Sequence, residues 1–165
     1  MASQNLLQRL DKAADTTGSS VDASNRRIEE VFIAAEAIVA GDFVTLDLNQ
    51  SDDSDKVLYV KKLTATAISN LGIGVALESA SIDGNIRICI RGICSANVDS
   101  GIAQSDRLVA SSTAGRAEKA PEFRTDLGDG TGTTAGTVVQ QAHIVAWAVS
   151  AESGNVANVY VLPQF

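Results

Sequence analysis

A chain of 165 residues, 45% of them hydrophobic, is long enough to bury one core without metals or disulfides. Its net charge of -7 argues against nucleic-acid binding, because neutralising phosphates requires clustered Lys and Arg. No apolar run approaches the roughly 18 residues of a membrane span, and the N-terminus lacks the pattern of a secretory signal. We therefore expect a protein made in a cytosol that binds neither nucleic acid nor a membrane.

Residues 1–27 differ in character from the rest and are expected to form an N-terminal arm. If SQNLLQRLDKAAD is helical, Leu6, Leu7 and Leu10 lie on one face, and the polar stretch TTGSSVDASN follows. Two alternatives stay open for this arm: a disordered tail, or a segment that orders on a partner with the leucines as anchors.

The next segments predict strands separated by short turns. Residues 28–39 have the composition of either a helix or a strand, and we favour a strand. Residues 43–48 alternate as a strand, and 57–61 form another after the acidic segment 49–55. That acidic segment does not fit an EF-hand, because Asp52 and Leu58 stand where the loop needs Gly and Glu. A solvated hairpin tip is expected instead.

The segment 72–98 carries the clearest β pattern in the chain and predicts three consecutive strands. Residues 73–77 and 86–91 alternate with a period of two, and the Asp-Gly-Asn sequence between them suits a hairpin turn. The alternation predicts a buried face of Ile86, Ile88 and Ile90 and a wet face of Arg87, Cys89 and Arg91. At Gly92 the alternation shifts by one residue, which predicts a bulge or bend.

Further strands are predicted at 107–110, around 116–120 and at 144–149. Pro121 ends regular pairing, and the glycine-rich segment 126–136 lacks the spacing and the lysine of a phosphate-binding loop. An exposed loop is expected there.

An internal repeat organises these elements. Residues 73–80 align with 144–151, and 83–86 align with 153–156. Upstream, 38–44 aligns with 102–108. Two copies are too few for a solenoid, so we predict one all-β domain, a single β-barrel or β-sandwich, over 28–165. Its two similar halves are placed at about 28–98 and 99–165. The side chains expected inside are Val75, Leu77, Ile86, Ile88, Ile90, Ile144 and Val149.

The sequence offers no catalytic or metal-binding constellation. Cys89 and Cys94 are expected to be reduced core residues, and His143 is a strand-edge residue without a second histidine for a metal site. Paired carboxylates such as Asp52 and Asp53 are expected on solvated segments, where a raised pKa is hard to sustain. We therefore expect no cofactor, no metal and no enzymatic activity.

Several short motifs together carry a family resemblance. They are AIVAGDFV at 37–44, IGVALESA at 73–80, GNIRI at 84–88, the Gly-Ile-Cys starting at Gly92, and Gly-Arg-Ala at 115–117. In order and spacing they resemble the small tailed-phage head proteins, a family long catalogued as a phage domain of unknown function. That family includes capsid decoration or cement proteins and head-fibre bases. The likeness covers roughly 35–162, with two departures: Ser105 replaces a frequent Gly, and the arm is longer than usual.

The resemblance implies a virion structural protein that binds the outer surface of the icosahedral capsid as a homotrimer and stabilises it. The implied partners are the major capsid protein and further copies of the chain, and Leu6, Leu7 and Leu10 are the candidate capsid-binding residues. A carbohydrate-binding or adhesin-like β-module is the alternative, and it would need exposed aromatic side chains. Trp147 lies in an apolar strand by sequence, which counts against it. A small hydrolase is the weakest interpretation.

Overall fold

A computed structural model describes residues 27–65, 72–120 and 143–162. These residues form nine strands, which belong to one continuous sheet, and one short helix. The strands are β1 (Ile28–Ala34), β2 (Phe43–Leu46), β3 (Tyr59–Lys62), β4 (Gly72–Ala76), β5 (Asn85–Asn97), β6 (Arg107–Ala110), β7 (Ala117–Lys119), β8 (Ile144–Ala148) and β9 (Val156–Val161). The helix, α1, is Asp53–Lys56.

The first five strands form a closed barrel. They follow the order β1-β3-β2-β4-β5, and an antiparallel pairing of β1 with β5 joins the two ends. Its core consists of buried aliphatic side chains: Ala34, Ile38, Val44, Val60, Ile73, Ala76, Ile86 and Ile88. The all-β barrel predicted from the sequence is confirmed.

The remaining strands repeat this arrangement. β5 continues beyond the barrel and pairs with β9, and the sheet then runs β9-β8-β6-β7. A parallel bridge between Val98 and Ala117 links the end of β5 to β7, as a parallel pairing links β1 to β3 in the barrel. We call the barrel unit 1 and the group β5-β9-β8-β6-β7 unit 2.

Matching turns confirm that the two units are copies of one pattern. The Asp42 carboxylate accepts a hydrogen bond from the Val39 amide at 3.0 Å, and Asp106 accepts one from the Ala103 amide at 2.8 Å. The strand after each turn, β2 or β6, has a register shift at its equivalent position against an antiparallel neighbour, β4 or β8. The sequence repeat is therefore a structural repeat.

The residue before each of these aspartates has a positive φ, which is 92° at Gly41 and 73° at Ser105. Glycine adopts this conformation without steric cost, whereas serine is strained there. The departure from the family pattern at Ser105 thus replaces the residue type but keeps the backbone conformation.

Backbone hydrogen bonds shift the later part of the sequence alignment by one residue. The alignment paired Ala76 with Trp147. In the structure, Ala76 and Ala148 each donate an amide hydrogen bond to the carbonyl of the aspartate in their own unit's turn, at 2.8 and 2.9 Å. Ala76 is therefore equivalent to Ala148, and Trp147 is equivalent to Val75. Both segments are rich in small apolar residues, which left the register weakly specified by sequence.

β5 is one strand of 13 residues, not the two strands predicted for its range. Its first part pairs with β1 and β4, and from Gly92 onward it pairs with β9. Gly92 has a φ of 110°, a conformation that favours glycine and lets the strand bend without ending. The predicted bend is present, and it marks the point where β5 passes from unit 1 to unit 2.

The outward face of unit 1 packs into the core of unit 2. Phe43, Leu63, Val75 and Cys89 are buried in one cluster with the core of unit 2, which is rich in alanine and valine. Cys89 is fully buried, so its predicted position on the wet face is wrong, whereas the prediction that Cys89 and Cys94 are reduced core residues is confirmed. The alternation identified the correct side of the strand, but a strand pattern carries no information about a second unit covering that side.

The predicted interior side chains divide into three groups. Val75, Ile86 and Ile88 are buried as expected. Leu77, Ile90 and Ile144 are partly buried. Val149 is 39% exposed, so its predicted interior position is wrong. It follows the last residue of β8, where the chain leaves the sheet for the turn to β9.

The N-terminal part of unit 1 is close to its prediction. Residues 28–39 begin with strand β1, not a helix, although the strand ends at Ala34. The acidic segment contains the four-residue helix α1, whose residues are not buried. The described residues include no helix with the length and apolarity needed to cross a membrane.

Candidate interaction surface

A row of large side chains crosses the outer face of unit 2. Strand register places Ile93 opposite Tyr160, Tyr160 opposite Trp147, and Trp147 opposite Arg107, across β5, β9, β8 and β6. Directly opposed residues project from the same face of a sheet and touch. Ser95, Val156 and Asn158 share this face by alternation and are exposed. We call these seven residues the Trp147 face.

Trp147 is 46% exposed at the centre of this face. Sequence reasoning placed it in an apolar strand, and the strand is correct, but the side chain points away from the core. The neighbours of Trp147 in β8, Ala146 and Ala148, are the buried residues. Large residues between buried alanines are a signal for an outward side chain, because a core built from alanine has no room for an indole.

The chemistry of the Trp147 face suits recognition more than catalysis. Trp, Tyr and Arg are the side chains most enriched at energetically important positions of protein interfaces. Trp147, Tyr160 and Arg107 supply all three in adjacent cross-strand positions. The polar Ser95 and Asn158 beside them keep the face compatible with water.

A charged corner borders this face at the turn before β6. The Asp106 carboxylate accepts the Ala103 amide and forms an ion pair with Lys119 at 3.0 Å. The hydrogen bond from the Ala103 amide and that from Lys119 outweigh a small effect of burial, so the pKa of Asp106 lies below its ordinary value of 3.8. Asp106 is therefore ionised at neutral pH and fixes the turn from which Arg107 projects.

Replacing Asp106 with Asn is expected to lower the free energy of unfolding at pH 7 by about 1–2 kcal/mol, since a charged acceptor of two hydrogen bonds is lost. A carboxyl group whose pKa is lower in the folded than in the unfolded protein stabilises the fold at pH values above its unfolded-state pKa. That contribution disappears as the pH falls through the folded-state pKa. The difference between parent and Asp106→Asn should therefore shrink at acid pH in urea denaturation series. Asp53→Asn is the control, because the Asp53 side chain is 96% exposed in its ion pair with Lys56. A constant difference at all pH values would contradict this role for Asp106.

In the acidic part of unit 1, the Asp47 carboxylate is paired with donor groups of the same unit. Burial raises the pKa of Asp47, but hydrogen bonds from Lys61, the Asn49 amide and Gln50 outweigh it and place the pKa below 3.8. The Asp47 to Lys61 ion pair measures 3.0 Å. In the described part of the chain, no three His, Cys, Asp or Glu side chains come together in a group that could hold a metal ion.

The remaining candidate reactive groups lie apart from the Trp147 face. Cys89 and Cys94 are buried free thiols on either side of Gly92. The hydrogen bond between the two thiols lowers the pKa of Cys89 and raises that of Cys94. His143 is exposed immediately before β8. These groups form no nucleophile and base pair, since both thiols are enclosed in the core.

Two predicted regions lie outside the described residues. They are the arm with Leu6, Leu7 and Leu10, proposed to bind the capsid, and the glycine-rich segment 126–136. Both remain predictions.

Two solved structures share this fold. The head fibre gp8.5 N base of bacteriophage phi29 matches with a TM-score of 0.52 at 14% identity, over 82% of this chain and 94% of that chain. A chain from the capsid of Myoviridae phage XM1 matches with a TM-score of 0.55 at 18% identity, over 100% of this chain and 99% of that chain. No protein-family model and no curated protein sequence matches the chain. The resemblance drawn from short motifs is thus confirmed at the level of the fold.

Proposed function

We propose that this protein is a structural, non-enzymatic component of a bacteriophage head that binds the outer surface of the capsid and stabilises it. The observation that carries this proposal is the near full-length match to two structures described as a phage head fibre base and a phage capsid. Because both matches extend over at least 82% of this chain, they relate the whole two-unit arrangement, not one barrel. A fold supports many functions, so the assignment requires a direct test.

The proposed assembly is a homotrimer that contacts the major capsid protein. The N-terminal arm supplies anchors through Leu6, Leu7 and Leu10, and the glycine- and serine-containing stretch after them acts as a tether. A trimer presents three arms at once, so after the first arm binds, the others bind at high effective concentration. Weak leucine contacts then add up to stable attachment.

The test adds purified protein to undecorated heads and measures occupancy by electron microscopy and the temperature at which heads break open. The parent chain is expected to occupy the outer surface and raise that temperature. Changing Leu6, Leu7 and Leu10 together to Ser is expected to weaken binding at least tenfold, while the melting temperature of the free protein stays unchanged. Absence of the parent protein from heads would overturn the proposal.

A matched control separates the leucines from the arm in general. Gln4→Ser with Gln8→Ser changes the same segment without removing an apolar anchor. If this control and the leucine variant bind equally well, the capsid contacts belong to the β-domain and the arm is only a tail.

Carbohydrate binding is the second candidate function, and the exposure of Trp147 beside Tyr160 favours it. Sugar rings stack on aromatic faces that are open to solvent, and sequence reasoning had placed Trp147 in an apolar strand. Trp147 is the only tryptophan in the chain, so its fluorescence reports directly on the site. Titration with a panel of oligosaccharides should change this emission if the face binds glycans.

A further inference from the structure

The two units differ at one equivalent surface. The hydrogen-bond equivalences pair Phe43, Val75 and Cys89 of unit 1 with Arg107, Trp147 and Tyr160 of unit 2. In both units these three residues face each other across three neighbouring strands. The same position in the repeat is therefore occupied by an apolar trio in unit 1 and by an aromatic and cationic trio in unit 2.

In unit 1 this surface is covered by protein. Phe43, Val75 and Cys89 are almost fully buried because they insert into the core of unit 2. In unit 2 the equivalent surface has no further unit of the chain against it within the described residues, and Trp147 and Arg107 are exposed. The internal repeat thus shows how this position is covered in unit 1, by another unit of the same β pattern.

We infer that the Trp147 face is the docking surface for a second copy of this chain. The first unit is covered by the second within one molecule, and the second unit is covered by the next molecule. Arg107 and Tyr160 make the face more polar than its buried counterpart, as expected of a surface that must also remain soluble before assembly. This inference rests on the homotrimer proposed above and adds the surface through which copies meet.

The distribution of exposed apolar side chains indicates a head-to-tail contact. Unit 2 exposes Trp147, Val149 and Val156, whereas the other exposed large apolar residues all lie on unit 1: Ile28, Val31, Val39, Leu48, Val57, Leu58 and Ile82. A contact between unit 2 of one copy and unit 1 of the next joins two different surfaces. Such heterologous contacts close into rings when the rotation between copies allows it. In a ring of three, every Trp147 face is covered by a neighbouring copy.

The test uses the full chain and the fluorescence of Trp147, together with the mass by light scattering. At high concentration the parent is expected at three times its monomer mass of 17.1 kDa. Its emission should be shifted to the blue relative to a dilute sample, because assembly removes the indole from water.

Trp147→Asp is expected to reduce the mass threefold while circular dichroism and the melting transition still report a folded chain, since this side chain is half exposed. Trp147→Phe, which keeps an aromatic ring, is expected to assemble like the parent.

The possible results distinguish this inference from the proposals on which it rests. A trimeric parent whose Trp147→Asp variant is also trimeric overturns the docking surface but keeps the homotrimer. A parent that stays monomeric, with unshifted emission, overturns both the homotrimer and this surface. If a monomeric parent loses head binding on Trp147→Asp, the occupant is the capsid shell, and if its emission responds to oligosaccharides, the occupant is a glycan. Either result overturns docking of a second copy. The proposed binding to the capsid is tested separately by the head-binding assay.

Discussion

Replacing Ile88 with Asp is expected to abolish the folded state. Ile88 is fully buried in the barrel core of unit 1, among aliphatic side chains of the neighbouring strands. An aspartate there loses the packing of the isoleucine and buries a carboxylate without a partner, which together cost more than about 5 kcal/mol. Whole domains are stabilised by about 5–15 kcal/mol, so the variant should lack a cooperative melting transition.

Ile82→Asp is the matched control for this experiment. It makes the same chemical change six residues earlier, in the turn before β5, where the Ile82 side chain is 63% exposed. The control should melt within a few degrees of the parent. If Ile88→Asp also melts like the parent, the assignment of Ile88 to the barrel core is wrong.

Replacing Gly74 with Ala is expected to be the second most damaging change. A Cβ atom at Gly74 would overlap the Cys89 carbonyl oxygen and would lie 2.6 Å from Ile88 Cγ2. The carbonyl belongs to the neighbouring strand β5 and cannot move without breaking the sheet. A single added methyl group should therefore cost at least about 3 kcal/mol and lower the melting temperature by roughly 6–12 °C.

The prediction applies to unit 1 only, because the residue equivalent to Gly74 in unit 2 is already an alanine, Ala146. Propensity alone would favour alanine over glycine in a strand, so an increase in stability would show that the strands are further apart than described. Gly101→Ala is the control. Its positive φ of 84° is unfavourable for alanine, but no atom lies within 4 Å of the added carbon, so only about 1 kcal/mol should be lost.

Local patterns were sufficient to predict most strands of this fold. The period of two located β2 and β4 closely, the strands predicted at 107–110 and 144–149 correspond to β6 and β8, and the repeat indicated two similar halves. The turn at Asp83 was predicted from Asp-Gly-Asn, and Asp83 does adopt a positive φ of 60°. These features depend on neighbouring residues, which is the information that a single sequence contains.

Contacts between the two units could not be predicted from these local patterns. The strand pattern placed Cys89 on a wet face and gave no sign that Trp147 is exposed, because burial of a strand face depends on what packs over it. The face of Cys89 is covered by unit 2, and the equivalent face of Trp147 is open. The candidate interaction surface therefore became visible only when the two copies could be compared in space.

Although the pairings of β5 divide at Gly92, with 85–91 pairing in unit 1 and 92–97 in unit 2, the chain cannot be divided there into two autonomous domains. Cutting near Gly92 would break β5 at its bend and expose the outward face of unit 1 to water. Unit 2 would also lose Phe43, Leu63, Val75 and Cys89 from its core. Simple truncation therefore cannot isolate either unit in folded form, since the two share a buried surface. Thermal or mechanical unfolding should accordingly proceed as one cooperative event, with neither half persisting as an intermediate.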